Sequence, residues 1–205
     1  MPATTAVVRA TVRSNPDLDR HAVLALVDRL WGKGVHELRM AAVGLLERYL
    51  SRLDPSDVDL VERLIREAKT WALVDELAAV IAGGLVERSP ALTAKLDRWA
   101  RDDDFWLRRA AMLALLLPLR RGDGDFDRFA RYADAMLDER EFFIRKAIGW
   151  VLRETGKKRP ELVWEWLAPR TARASGVTVR EAVRYLPEGQ RAAILAAYKS
   201  KRPAR

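Results

Sequence analysis

The chain has 205 residues, 49% of them hydrophobic and 32% charged, which is typical of a folded protein and excludes a disordered chain. Lysine and arginine together number 37 against 29 acidic residues, so the formal net charge of +8 favours a polyanionic partner. The absence of cysteine excludes disulfides, thiolate nucleophiles, zinc fingers and iron–sulfur clusters. Because there are also only two histidines, we expect neither a metal nor a cofactor.

Helical periodicity dominates the sequence, since apolar residues recur at intervals of three and four and strand-like alternation is absent. Residues that favour turns interrupt this periodicity, in chain order, at Asn15-Pro16, Asp54-Pro55, Gly83-Gly84, Ser89-Pro90, residues 121–124, Gly156 with Pro160, Ser175-Gly176 and residues 187–189. The segments between them predict about a dozen helices joined by short turns.

Several of these interruptions predict helix starts. Asp54 and Ser89 each precede a proline, and Thr178 with Glu181 three residues later predicts a capping box. The predicted fold is all-α, a HEAT-like α-solenoid of antiparallel helix pairs. We expect a single domain over residues 1–205, with a flexible basic tail at residues 200–205.

No segment is predicted to cross a membrane or to direct secretion. The longest apolar run, residues 110–119, contains Pro118, whereas a membrane span needs about 20 apolar residues. Residues 1–10 lack the charged start and the apolar stretch of a signal peptide. We therefore expect a soluble, cytoplasmic protein, and a monomer.

Four tryptophans, Trp31, Trp71, Trp106 and Trp150, recur at intervals of 40, 35 and 44 residues. Intervals of this length are typical of stacked helical pairs. The last three tryptophans stand beside charged residues, which are unusual in a buried helix. We therefore predict a polar concave face lined by aromatic rings.

A candidate site follows from the charged neighbours of these rings. Trp71 and Asp75 are four residues apart, so they share one face of a helix. Arg109 begins a long apolar stretch, where an arginine is either paired with an acid or kept for a ligand anion. Together with Trp150, these residues would provide a carboxylate, an arginine and two indoles.

A purely structural explanation stays open for several of these residues. Asp75 is equally well explained as an ion-paired structural acid. Trp31 and Trp99 are expected in the core because their neighbours are ordinary core residues. Trp164 and Trp166 cannot both face inward, since residues two apart point to different sides of a helix.

Two further positions in the candidate site give specific expectations. Arg108, beside the buried Arg109, is expected to be the solvated member of the pair. Gly149 lies inside a helix, where glycine costs about 1 kcal/mol relative to alanine. That cost predicts the close approach of a backbone or of a ligand at Gly149.

The sequence resembles the HEAT-like-repeat DNA alkylation repair glycosylases, of the AlkD type. The similar segments are residues 30–42 (LWGKGVHELRMAA), 70–75 (TWALVD), 105–111 (FWLRRAA), 142–154 (FFIRKAIGWVLRE), 159–166 (RPELVWEW) and 179–183 (VREAV). The segment at 142–154 is the most specific of these. The similarity extends from about residue 25 to 185.

The resemblance implies four active-site residues. The family's catalytic aspartate matches Asp75, its neighbouring tryptophan Trp71, its lesion-side arginine Arg109 and its second active-site tryptophan Trp150. It also implies base excision repair, with hydrolysis of the N-glycosidic bond of cationic N3- or N7-alkylated purines. The family usually has a further helical segment at the N-terminus, so we expect a shorter segment in this chain.

The implied partner is double-stranded DNA containing alkylated purines, and the protein would be nucleoid-associated when bound. Backbone phosphates are expected to meet the cations of the basic concave face, namely Arg39, Arg108, Lys146, Arg153, Lys157 and Lys158. Two alternatives stay open. One is a catalytically silent relative that recognises distorted or branched DNA, and the other is a HEAT scaffold that binds proteins.

Overall fold

The computed structural model describes residues 2–200, and all the regular secondary structure in that range is helical. The predicted all-α fold class is therefore confirmed. Within the described range, no helix combines the length and the apolar character that crossing a membrane requires. Of the tail predicted at residues 200–205, all but Ser200 lies outside the described residues.

The chain divides into two compact units between Ala94 and Lys95. The helices that lie before this division are α1 (Pro2–Ser14), α2 (Arg20–Trp31), α3 (His36–Arg48), α4 (Val58–Ala68), α5 (Trp71–Glu76) and α6 (Gly83–Arg88). In this unit, α3 packs against α1, α2 and α5. Its core consists of aliphatic side chains without solvent access, among them Leu46, Leu64, Ile65 and Leu77.

The division falls within α7 (Thr93–Trp99). The helices after it are α8 (Phe105–Leu113), α9 (Leu116–Arg121), α10 (Phe126–Ala135), α11 (Phe142–Gly156), α12 (Pro160–Leu167), α13 (Gly176–Ala182) and α14 (Glu188–Ser200). Helix α11 is the centre of this second unit, because it packs against α8, α9, α12 and α13. In both units, helices close in sequence pack against one another, as predicted for a solenoid.

Most of the predicted interruptions separate helices in the structure. Asp54 forms a capping box with Asp57 at the start of a short 3-10 helix, Pro55–Asp57, directly before α4. Ser89 likewise precedes the 3-10 helix Pro90–Leu92. The tryptophans expected in the core, Trp31 and Trp99, are each 1% exposed.

The break predicted at Gly83-Gly84 is wrong. The helix that begins at Trp71 continues through a π-helical segment, Leu77–Ala82, into α6 without leaving helical geometry. A Cβ atom on Gly84 would lie 2.7 Å from Cδ2 of Leu50. This glycine therefore allows two segments to pack closely, and it does not end the helix.

The capping box predicted at Thr178 and Glu181 is also wrong. Helix α13 begins at Gly176, and its cap is Ser175, whose Oγ accepts a hydrogen bond from the backbone N–H of Thr178 at 3.1 Å. The hydroxyl of Thr178 donates instead to the carbonyl oxygen of Arg145, at 3.0 Å. Glu181 therefore does not cap α13, and its carboxylate binds residues of α11.

The close approach predicted at Gly149 is that of a neighbouring backbone. A Cβ atom at this position would lie 2.8 Å from Cβ of Glu181 and 3.1 Å from both Cα and the carbonyl oxygen of Thr178. Because two of these atoms belong to backbone, they cannot give way by a change of rotamer. Gly149 therefore sets the distance between α11 and α13.

Gly149→Ala should lower the free energy of unfolding by about 1–3 kcal/mol, the usual cost of overpacking. The clash with α13 outweighs the roughly 1 kcal/mol of helix propensity that alanine provides. Urea denaturation measures the difference. Gly189→Ala in α14 is the matched control, since its new Cβ would meet nothing within 4 Å, and it should be neutral or stabilising. Equal stabilisation by both substitutions would contradict the tight packing at Gly149.

Candidate functional site

The predicted pair Trp71 and Asp75 lies on α5. Helix α4 ends at Lys69, which adopts the left-handed conformation with φ 48°, and Thr70 is extended. This turn makes Trp71 the first residue of α5, with 56% of its surface exposed. Asp75 follows one turn later and is half-buried. An indole open to solvent therefore stands one helical turn from a partly buried carboxylate.

A cavity beside this helix was missed by the sequence reasoning. It has a volume of about 350 Å³, and the side chains that line it include Thr4, Val8, Met40, Glu47 and Glu76. Burial raises the pKa of Glu76, and the neighbouring carboxylates of Glu47 and Asp75 raise it further. The lining comes from α1, α3 and α5, so no local pattern in the sequence could have revealed it.

Arg109 lies on α8 and is 2% exposed. Its Nη1 donates a hydrogen bond to the carbonyl oxygen of Phe143 at 2.6 Å. Its guanidinium carbon lies 5.8 Å from the ring centroid of Phe143 and 6.0 Å from that of Trp150. The structure thus brings Arg109 and Trp150 together on the second unit, as the sequence predicted.

An aromatic cluster surrounds Arg109, and of its members the sequence predicted only the tryptophan, Trp106, and none of the three phenylalanines. Phe143 packs against Trp106 with ring centroids 4.9 Å apart, and Trp106 against Phe105 at 4.5 Å. Phe142, the first residue of α11, meets Phe143 edge-on at 5.4 Å and is 53% exposed. Phe142 could have been found from the sequence, because it stands next to Phe143 at the start of the FFIRKAIGW segment. Two adjacent residues of a helix point in different directions, so one of the two rings is expected to be exposed.

Lys146 and Arg153, two of the predicted DNA contacts, share one carboxylate in the structure. Lys146 Nζ binds Oε1 of Glu181 at 2.5 Å, and Arg153 Nη1 binds Oε2 of the same residue. Burial raises the pKa of Glu181, but the hydrogen bond from Lys146 and the nearby positive charges outweigh this effect and lower the pKa. Glu181 is therefore a charged bridge between two half-buried cations.

A second carboxylate, Glu154, organises the cations next to this bridge. Glu154 is 3% exposed and accepts hydrogen bonds from Arg120 at 2.8 Å, Lys157 at 2.7 Å and Arg153 at 3.2 Å. Burial alone would raise the pKa of Glu154, but the bond from Lys157 and the charge of Arg120 lower it overall. Four cations thus surround two carboxylates on the second unit, which leaves an excess of positive charge.

Arg108 is the more exposed of the two neighbouring arginines, as expected, but it is bound to other groups of the protein and not simply solvated. Its side chain is 19% exposed and binds the carboxylate of Glu139 through Nε at 3.1 Å and Nη2 at 2.9 Å. Its Nη1 also donates to the carbonyl oxygens of Asp102 and Asp103. These four bonds already use most of its donors, so its predicted contact with DNA would require some of them to be exchanged.

The remaining predicted contacts, Arg39 and Lys158, lie in different settings. The guanidinium carbon of Arg39 lies 4.9 Å from the ring centroid of Trp31, and its Nη1 donates to the carbonyl oxygen of Glu67 at 3.1 Å. Lys158 is exposed, and within residues 2–200 it takes part in no ion pair. An exposed cation without an ion pair is accessible to a phosphate.

Comparison with known proteins identifies the family. Residues 1–186 match the model of a family described as DNA alkylation repair enzyme. The chain belongs to this family. A solved structure of a predicted DNA alkylation repair enzyme from Enterococcus faecalis is similar to it, with a TM-score of 0.81, 21% sequence identity, and coverage of 91% of this chain and 86% of that one. No curated protein matches the sequence.

The family assignment confirms the resemblance expected from the sequence. The TM-score of the Enterococcus faecalis structure shows that the two proteins share a fold. At 21% sequence identity, the comparison shows nothing beyond the fold. The family model covers α1 to α13 and therefore both the Trp71 and Asp75 pair on α5 and the Arg109 and Trp150 pair in the second unit.

Replacing Glu154 should reveal how much its three ion pairs stabilise the second unit. Glu154→Gln should lower the free energy of unfolding at pH 7 by about 1–3 kcal/mol, the scale of hydrogen bonds to charged groups. The lowered pKa in the folded protein means that this contribution is present above the ordinary glutamate pKa, about 4.3. It is lost as the pH falls through the lower folded value.

Urea denaturation of both proteins from pH 7 down to about pH 3 checks this sign. The difference in the free energy of unfolding between wild type and Glu154→Gln should become smaller only at the acidic end of this pH range. Glu165→Gln, which removes the same charge from an exposed position on α12, should show almost no difference at any pH. A stability difference that increases toward acidic pH would contradict the stabilising role of the Glu154 carboxylate.

Proposed function

We propose that the protein is a monofunctional DNA glycosylase that removes cationic N3- and N7-alkylated purines from duplex DNA. The observation that carries the proposal is the exposed indole of Trp71 one helical turn from the half-buried Asp75, in a member of a DNA alkylation repair family. A core tryptophan would be buried, as Trp31 and Trp99 are. An exposed ring beside a carboxylate is instead suited to a cationic ligand.

The chemistry of such a lesion matches what this pair can supply. Alkylation at N3 or N7 gives the purine a formal positive charge, so the base leaves as a neutral molecule and needs no proton from the protein. The bond that breaks is the one from C1′ to the base nitrogen, whose electron pair goes to the base. What remains on the sugar is an oxocarbenium ion, which a carboxylate stabilises directly.

We assign to Asp75 the stabilisation of this ion and the orientation of the water that attacks C1′. The water's oxygen forms the new bond to C1′, and a proton is released to solvent through the carboxylate. Trp71 would attract the positive sugar and base through its ring face, by about 0.5–2 kcal/mol. The family resemblance assigns Trp150 the same kind of contact with a cation. Neither role requires a metal or a cofactor.

Arg109 is assigned to the phosphate of the lesion nucleotide and to the support of Trp150. With 2% of its surface exposed, its guanidinium is held by the Phe143 carbonyl and by two rings. Because Arg109 is buried, its contact with a phosphate would require neighbouring side chains to move aside, as the exchange of partners at Arg108 would. The other predicted cations would bind backbone phosphates without reading the sequence.

Replacing Asp75 separates catalysis from binding. Asp75→Asn keeps the shape and removes the charge, so base release in a single-turnover assay on methylated duplex should fall by about two orders of magnitude or more. Binding to the same duplex should stay near that of wild type, because the phosphate contacts are unchanged.

The matched control is Glu76→Gln, which removes the same charge from the next residue of α5. Its effect on base release should be less than about threefold, since electrostatic stabilisation depends on the position of the charge. Loss of binding in parallel with activity in Asp75→Asn would instead make Asp75 a structural acid. If wild type binds the duplex but releases no base, the catalytically silent alternative is correct.

The range of substrates tests the leaving-group argument. A carboxylate and an indole ring face stabilise a cationic sugar but do not protonate a neutral base as it leaves. Duplexes with a single 7-methylguanine or 3-methyladenine should therefore lose the base, and duplexes with uracil, hypoxanthine or 8-oxoguanine should not. Alkaline cleavage of the abasic product, with EDTA present, measures each case.

Two outcomes of this panel would contradict the proposal. Efficient release of uracil or hypoxanthine would require a general acid that the assigned residues do not provide. Activity that EDTA abolishes and magnesium restores would exclude the metal-free mechanism. A protein that binds no duplex at all would favour the protein-binding scaffold.

A further inference from the structure

One carboxylate in the second unit binds two cations as a DNA phosphate would. Glu181 presents Oε1 to Lys146 at 2.5 Å and Oε2 to Arg153. A phosphodiester carries the same single negative charge and also offers two free oxygens to neighbouring cations. Glu181 therefore satisfies these two cations in the way that a DNA phosphate would.

The packing of α13 against α11 fixes where this carboxylate stands. Gly149 leaves room for α13 to approach so closely that a Cβ there would lie 2.8 Å from Cβ of Glu181. The hydroxyl of Thr178 ties α13 to the carbonyl oxygen of Arg145 at 3.0 Å. The backbone of Glu181 is thus held in place, so an exchange of partners would involve its side chain alone.

Lys146 and Arg153 are accessible enough to exchange one partner for another. Their side chains are 38% and 21% exposed, and Glu181 itself is 17% exposed. Arg153 also retains a bond to Glu154, at 3.2 Å, which would hold it in position after Glu181 is displaced. Exchange of a carboxylate for a phosphate would keep both cations paired throughout.

We propose that Glu181 is a built-in competitor of the DNA backbone, which binds Lys146 and Arg153 in the free protein and releases them to a phosphate. The inference rests on the proposed function, because it requires that this surface binds duplex DNA. Its consequence is that Glu181 weakens binding to DNA of any sequence. Such a competitor limits the time spent on undamaged duplex, where the protein has no substrate.

Glu181→Gln tests the proposal, because it keeps the size of the side chain and removes its charge. Each phosphate contact that releases counterions contributes about 0.9 to the slope of log affinity against log salt concentration. In wild type the displaced carboxylate of Glu181 stays near the phosphate and offsets one positive charge, so with Glu181 neutral the cation pair should add about one such contact to the net count. The slope for undamaged duplex should steepen by about 0.9, and the affinity near 0.1 M salt should rise about threefold or more.

Two control variants separate competition from a general gain of positive charge. Glu165→Gln makes the same charge change at an exposed position on α12 and should leave the slope nearly unchanged. Glu181→Asp retains the charge and should keep the slope close to that of wild type. Thermal unfolding of each variant shows whether α13 remains packed.

The outcomes distinguish this inference from the proposed function. If wild type binds duplex and Glu181→Gln binds with the same or lower affinity and an unchanged slope, Glu181 only positions the two cations and the inference is wrong. A fall in thermal stability without a steeper slope leads to the same conclusion. If wild type binds no duplex, the proposed function fails, and the inference fails with it.

Discussion

The structure depends on polar bonds between residues about 35 positions apart, which tie each helix pair to the next within a unit. Examples, with their separations in sequence, are Arg63 to Asp28 (35), Trp31 to Glu67 (36), Arg120 to Glu154 (34), Lys146 to Glu181 (35) and Arg170 to Asp134 (36). Apolar packing alone lets one pair slide or rotate against another, whereas directional bonds to charged groups fix the register. One of these bonds also pairs the buried carboxylate of Glu154, which is 3% exposed, with a cation.

Much of the fold could be predicted because its signals are local. Asp54 before Pro55 and Ser89 before Pro90 begin helical segments, since a missing N–H and a capping side chain act within one turn. The break predicted at Gly84 was wrong because this glycine makes room for the side chain of Leu50, a residue 34 positions earlier. Thr178 and Glu181 fit the capping pattern in the sequence, yet their partners on α11 compete successfully for both side chains.

For the candidate site, the sequence predicted which residues matter better than it predicted their surroundings. The spacing of Trp71 and Asp75 placed them one turn apart on α5, and periodicity correctly made Arg109 the buried arginine. Periodicity could not show that Arg108 has Glu139 as its partner, or that Lys146 and Arg153 share a carboxylate. The sequence shows only that a residue is positively charged. Whether that charge is available to a ligand depends on acidic residues of other helices, which lie about 30 or more positions away in the sequence.

The uneven exposure of the tryptophans makes the protein its own optical probe. Trp31, Trp99, Trp106 and Trp166 are at most 5% exposed, so their emission is shielded from water, whereas Trp71 is 56% exposed. Trp150 and Trp164 are of intermediate exposure, so the red-shifted, easily quenched part of the intrinsic fluorescence comes first from the indole next to Asp75 and, to a smaller extent, from these two rings. Acrylamide quenching therefore reports chiefly on the solvent access of the Trp71 ring, with no label attached.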